Sequence, residues 1–253
     1  MNYLALALLA FTLGARAAAD PQALLVASDA VRNPDTSFSL TNSLVEYRKG
    51  KQTDASTLTV YSNADKASGQ FRSLIRYAAP ARDANKLILY NGKDMWFHDP
   101  ANKATIRLAP QERLLGQASN GDVATVNLAK DYKATAATEE EIQDGERRAR
   151  RCYKLDLAAQ TPDASYHRIE LWIDVANSQS VKARFFSESG KLLKTAYYRH
   201  YSKQLGRERP TETVIIDGLD PSWVTLMRYS DWVKREVPEA WLQRDYLVRF
   251  KPE

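Results

Sequence analysis

The sequence predicts a mainly β, antiparallel protein in one domain, a sandwich, barrel or half-barrel, and three observations predict it. Apolar residues recur with period two in one segment after another. The segments are short and evenly spaced. Between them stand the turn-forming pairs Asn91-Gly92, Asp144-Gly145 and Ser189-Gly190. No internal repeat, low-complexity block or linker interrupts the series.

The first segment is not read as part of the fold. Tyr3 to Leu13 is almost uninterruptedly apolar, too short to span a bilayer, and runs into Ala17-Ala18-Ala19-Asp20. Small residues at Ala17 and Ala19 predict a cleavable signal peptide over residues 1–19, although Met1-Asn2 supplies no basic residue. The alternative is an N-terminal anchor helix. Cleavage of the 253-residue chain leaves 234 residues, 20–253, as a single domain and lowers the formal net charge from +5 to +4. That mild excess permits contact with an anionic surface but is no nucleic-acid signature.

The mature chain opens with a predicted helix over residues 21–33, capped by Asp20 and started by Pro21. Strands follow at Phe38 and Leu40, at Thr57 to Tyr61 and at Gln70 to Tyr77, with Gly50 and Gly69 in the connections and Pro80 closing the third. Residues 86–122 organise the rest. Leu87 to Tyr90, Met95 to Phe97 and Thr105 to Leu108 predict a three-stranded meander turned at Asn91-Gly92 and Asp99-Pro100. Beyond Pro110 the stretch QERLLGQ predicts a short helix or lid rather than a strand, with Gly116 as its hinge.

A strand around Tyr132 to Ala137 leads to two charge runs, Glu139 to Glu141 and Arg147 to Arg151. By composition the arginines form a polybasic patch. By geometry, a turn at Asp144-Gly145 sets the acids beside the arginines as cross-strand pairs, which accounts for both runs at once. Cys152 has no partner cysteine and reads as a small buried residue. Alternation is clearest at Tyr166 to Val175, with Ile169, Leu171, Ile173 and Val175 on one face. Strands at Val181 to Phe185, Leu192 to Tyr201, Thr211 to Ile216 and Val224 to Tyr229 complete the series, and Pro238 to Leu247 predicts a short capping helix.

Little in this pattern points to catalysis or to a bound metal or cofactor. His98, His167 and His200 are far apart, with no i,i+4 partner and no neighbouring cysteine. No nucleophile elbow, P-loop or dinucleotide fingerprint is present, and nothing singles out one carboxylate pair among 31 acids. The informative feature is apolar supply on both faces of Leu87 to Tyr90 and Met95 to Phe97, which requires cover on both sides. A filled core under helices and a cavity holding an acyl chain both satisfy it.

The order of these signals resembles the LolA-like outer-membrane lipoprotein-sorting proteins, in their longer, less characterised branch. The resemblance is carried by Leu89 through Met95-Trp96-Phe97-His98-Asp99-Pro100, by Thr105 to Leu108, and by Leu114 to Ser119 leading into Gly121-Asp122. Further along, Asp144-Gly145 to Leu155, Ile169 to Asp174, Ser189 to Leu193, and Trp241-Leu242 to Tyr246-Leu247 extend it. Phe97-His98 stands where the family often has a tyrosine.

This resemblance implies a strongly curved, incomplete antiparallel barrel closed by a few short helices around a hydrophobic cavity. It implies a non-enzymatic carrier in the periplasm of a Gram-negative bacterium, without cofactor. The carrier takes lipoprotein acyl chains or phospholipid from an inner-membrane permease to an outer-membrane acceptor, and it has no nucleic-acid partner. Leu89, Trp96, Leu108, Leu114 and Leu115 are the expected cavity lining, under a lid made of QERLLGQ and the N-terminal helix. The alternative is a sensor that uses the same scaffold to bind a membrane-protein segment.

Overall fold

The computed structural model describes residues 19–92, 94–161 and 164–251. The expected signal peptide lies, but for Ala19, outside them. Helix α1 (Pro21–Arg32) begins where Asp20 accepts a hydrogen bond from Gln22 N at 3.0 Å, with Pro21 at the first turn. Strands β1 (Phe38–Arg48), β2 (Lys51–Ala64), β3 (Phe71–Ala79), β4 (Leu87–Tyr90), β5 (Met95–Asp99) and β6 (Ala104–Leu108) form a meander. A second meander comprises β9 (Tyr132–Gln143), β10 (Ala149–Ala159), β11 (Arg168–Asp174), β12 (Ser180–Phe186), β13 (Leu192–Gln204), β14 (Arg207–Asp217) and β15 (Trp223–Lys234).

The two meanders join at one seam, where β1 pairs antiparallel with β15 from Phe38↔Lys234 to Arg48↔Trp223. The result is a single curved antiparallel sheet of 13 strands that does not close, with β6 and β9 as its free edges. Alternation decides what each face buries. In β4, Ile88 and Tyr90 join the main core, whereas Leu87 and Leu89 join a second cluster on the other face. That second cluster is covered by two 3-10 turns, Glu239–Leu242 and Arg244–Arg249, which seat Trp241, Leu242 and Leu247. The predicted capping helix is therefore a pair of tighter turns.

Sequence order forces one long crossing. β6 and β9 lie at opposite edges, so the chain between them must traverse the sheet, and residues 109–131 do so across the face that carries the main core. This strap contains a small hairpin, β7 (Arg113–Leu115) and β8 (Ala118–Ser119), then α2 (Asn120–Val123) and α3 (Leu128–Asp131). The expected helix over QERLLGQ is thus a hairpin. Gly116 turns it at φ +56°, and any Cβ there would collide with Thr225 Oγ1, so the residue is clamped against β15.

The Asp144-Gly145 hairpin is present, with β9 and β10 paired and the Asp144 carboxylate accepting from Glu146 N at 2.8 Å and Arg148 N at 3.0 Å. Arg151 pairs with Glu139 across it, while Arg150 reaches β11 and binds Asp174 at 2.7 Å. Cys152 is fully buried against Trp172 and Val181, and burial pushes its thiol up to about 12.

Candidate functional site

Under the strap the core does not fill completely. A cavity of about 150 Å³ lies between the strap and the central strands, floored by inward residues of β1, β15, β14 and β13. Leu40, Ile215, Met227 and Ala196 make the floor mainly apolar, and Val123, Ala124 and Val126 of the strap roof it. A bulge shapes one wall. Register slips between Thr41↔Ser230 and Ser39↔Val233, and Asp231 sits at φ +52°. The extra residue turns Trp232 onto the inner face, where it stacks on Phe38 at 5.6 Å.

Two buried charge clusters pin the strap. At its middle, Lys194 of β13, 4% exposed, pairs with Asp122 of α2 and donates to Gln117 O at 3.1 Å. Asp122 also accepts from the Tyr166 hydroxyl at 2.8 Å and from Ser119 N at 2.8 Å. Burial lowers the pKa of Lys194, opposed by Asp122, and burial lifts the Tyr166 hydroxyl well above its ordinary value. Near the strap's end, Arg32 binds Asp29 at 2.5 Å and donates to Val126 O at 2.9 Å. Asp29 in turn accepts from Ala129 N at 2.7 Å, and burial raises its pKa despite Arg32.

None of the five expected lining residues faces this cavity. Leu89 and Trp96 belong to the opposite face, where Arg244 stacks over Trp96 at 4.3 Å. Leu108 packs at the rim of the main core. Leu114 and Leu115 stand together beside a second recess of about 180 Å³, whose other walls include Asp54, Arg82, Asp83 and Lys86. The lining is displaced because the meander β4 to β6 lies at one edge, whereas the cavity sits over the seam. Sequence reading passed over Lys194, although it shares the inward face of β13 with Ala196 and Tyr198, an unusual place for a lysine.

Among the described residues no group of three or more His, Cys, Asp or Glu converges as a metal site. His98 is buried with Nδ1 2.8 Å from Thr105 Oγ1, and His200 lies 3.3 Å from Glu146. No described helix is long and apolar enough to cross a membrane.

A crystal structure of a LolA superfamily protein from Nitrosomonas europaea superposes with a TM-score of 0.80 at 30% identity, covering 90% of this chain and 100% of that one. The chain belongs to the LolA superfamily. Two further solved structures share the LolA-like fold. A DUF1329 family protein from Desulfovibrio piger matches at TM-score 0.75 and 20% identity, over 90% of this chain and 100% of that one. A domain described as an outer membrane lipoprotein-sorting protein, from Vibrio parahaemolyticus, matches at 0.73 and 15%, over 90% and 98%. A family model described as an uncharacterized protein matches residues 69–249. No curated protein sequence matches the chain.

Proposed function

We propose that this protein is a periplasmic carrier that holds the acyl chains of a lipoprotein or phospholipid between the curved sheet and its strap. It takes them from an inner-membrane donor and gives them to an outer-membrane acceptor. The observation that carries this reading is the apolar cavity left under a crossing segment that packs on the main core and is tied to the sheet and helix by two ion pairs. Membership of the LolA superfamily supports it, as does the expected leader over residues 1–19.

The energetics suit a carrier without catalytic groups. Each methylene buried contributes about 0.8 kcal/mol, so one acyl chain supplies the driving force for uptake. The cavity of about 150 Å³ is smaller than the roughly 300–1,000 Å³ of typical ligand sites. Loading therefore requires the strap to lift, and the Lys194–Asp122 and Arg32–Asp29 ties set how readily it does so.

The test is native mass spectrometry of the secreted protein purified without detergent, followed by solvent extraction. Discrete added masses in the phospholipid or acylated-peptide range are expected. A bare protein mass, with no uptake of a fluorescent fatty acid, would overturn the carrier reading in favour of a protein-binding regulator.

A further inference from the structure

The charges around the cavity are already matched. Arg32 is engaged by Asp29 and Lys194 by Asp122, while a third acid, Asp131, lines the same space and is held by Gln70 Nε2 at 3.0 Å. An anionic head group drawn inside would meet a surplus of carboxylates. What remains unmatched is uncharged. Asn42, 1% exposed on the floor strand β1, has its Oδ1 buried with no partner among the described residues. Trp232, turned inward by the bulge, has its Nε1 buried in the same condition.

Leaving such groups unpaired costs roughly 1–3 kcal/mol each, so a guest that pairs with both recovers that cost. One is an acceptor and the other a donor. Both line the same inner surface: Trp232 stacks on Phe38, and Phe38, Leu40 and Asn42 succeed one another on the inward face of β1. The nearby floor is otherwise apolar but for the Thr213 and Tyr229 hydroxyls, which bond one another at 3.2 Å.

From this pairing we infer that the cavity contains a subsite for an uncharged acyl amide, whose carbonyl oxygen accepts from Trp232 Nε1 and whose N–H donates to Asn42 Oδ1. This deepens, and rests on, the reading of the cavity as a site for acyl chains. An ester offers the acceptor alone and an ether lacks the carbonyl, so the subsite ranks the three linkages. The alkyl chains on either side take the apolar floor and roof.

Three matched probes test it: N-propylhexadecanamide, propyl hexadecanoate and hexadecyl propyl ether, offered together from neutral vesicles. Occupancy is read by native mass spectrometry of the full mature chain. The amide-to-ether ratio of the wild type is expected to exceed that of Trp232→Phe and of Asn42→Leu by about tenfold. Trp232→Phe keeps the stack on Phe38, so it serves even if Asn42→Leu does not fold. Equal ratios in wild type and Trp232→Phe, or ester occupancy equal to amide, would overturn the subsite and leave the carrier reading standing. Uptake of none of the three would overturn both.

Discussion

Lys194 shows how a single side chain sets the behaviour of the site. It rises from a strand whose neighbours on the same face are Ala196 and Tyr198, and it is buried among the Tyr166 and Phe185 rings at 4.8 and 5.4 Å. Its charge is tolerated there because Asp122 and the Gln117 carbonyl receive it. Removing one partner of such a pair strands the other, so Lys194→Met is expected to lower the unfolding free energy by about 3 kcal/mol in urea titrations. The double variant Lys194→Met/Asp122→Asn should recover part of that loss, because the stranded charge is gone. Additive losses would show that the two residues act separately.

At the scale of elements, the clearest consequence concerns the C-terminal turns. They cover the outer face of β4 and β5, and Arg72 binds Glu239 of the first turn in a two-pronged contact. Trp96→Glu is therefore expected to loosen these turns, seen as faster amide exchange at residues 239–249, while uptake of a fluorescent fatty acid is unchanged. Lost uptake by a folded variant would return Trp96 to the binding site. A second element-scale tie joins β13, β14 and β15 through Glu212, 3% exposed, which receives Arg199 and, at 2.7 Å, Arg228. Burial pushes its pKa up, but the two arginines outweigh it and hold the carboxyl below its ordinary 4.5. Its stabilising contribution is complete above pH 4.5 and is lost as pH falls through the lower folded value. The Tm should fall on acidification below that point, and Glu212→Gln should flatten the fall. A parallel fall in both proteins would assign acid sensitivity to other carboxylates.

These elements also show where the sequence was readable. Asp20-Pro21 and Asn91-Gly92 act through their own backbone, so the start of α1 and the β4–β5 turn were visible in a few letters. The alternation of Ile169, Leu171 and Ile173 likewise stated which face joins the main core, although Glu170, Trp172 and Asp174 on the other face are buried as well. QERLLGQ misled because Leu114-Leu115 satisfies helix and hairpin alike, and what decides is the close approach of Gly116 to Thr225, more than a hundred residues away. The five expected lining residues lie away from the cavity over the seam for a related reason. Leu89 is as buried as expected, but which of two apolar faces holds a cavity depends on where residues 109–131 cross. Asn42 and Trp232 gave no local sign, since one needs a neighbour's register and the other a bulge.

Across the whole molecule, the sheet is two meanders that share a seam. Within each, strands pair with their sequence neighbours through short connections, contacts that form early and at small entropic cost. The seam is different. It brings Phe38 against Lys234 and Arg48 against Trp223, partners from opposite ends of the chain. Closing so long a loop is the slowest kind of contact to make, which places the β1–β15 ladder late on the folding route. The cavity lies over that ladder, with Asn42 on one side of it and Tyr229 on the other. A chain still emerging or half-folded therefore has no enclosed space over the seam, and the cavity arrives together with the finished tertiary structure.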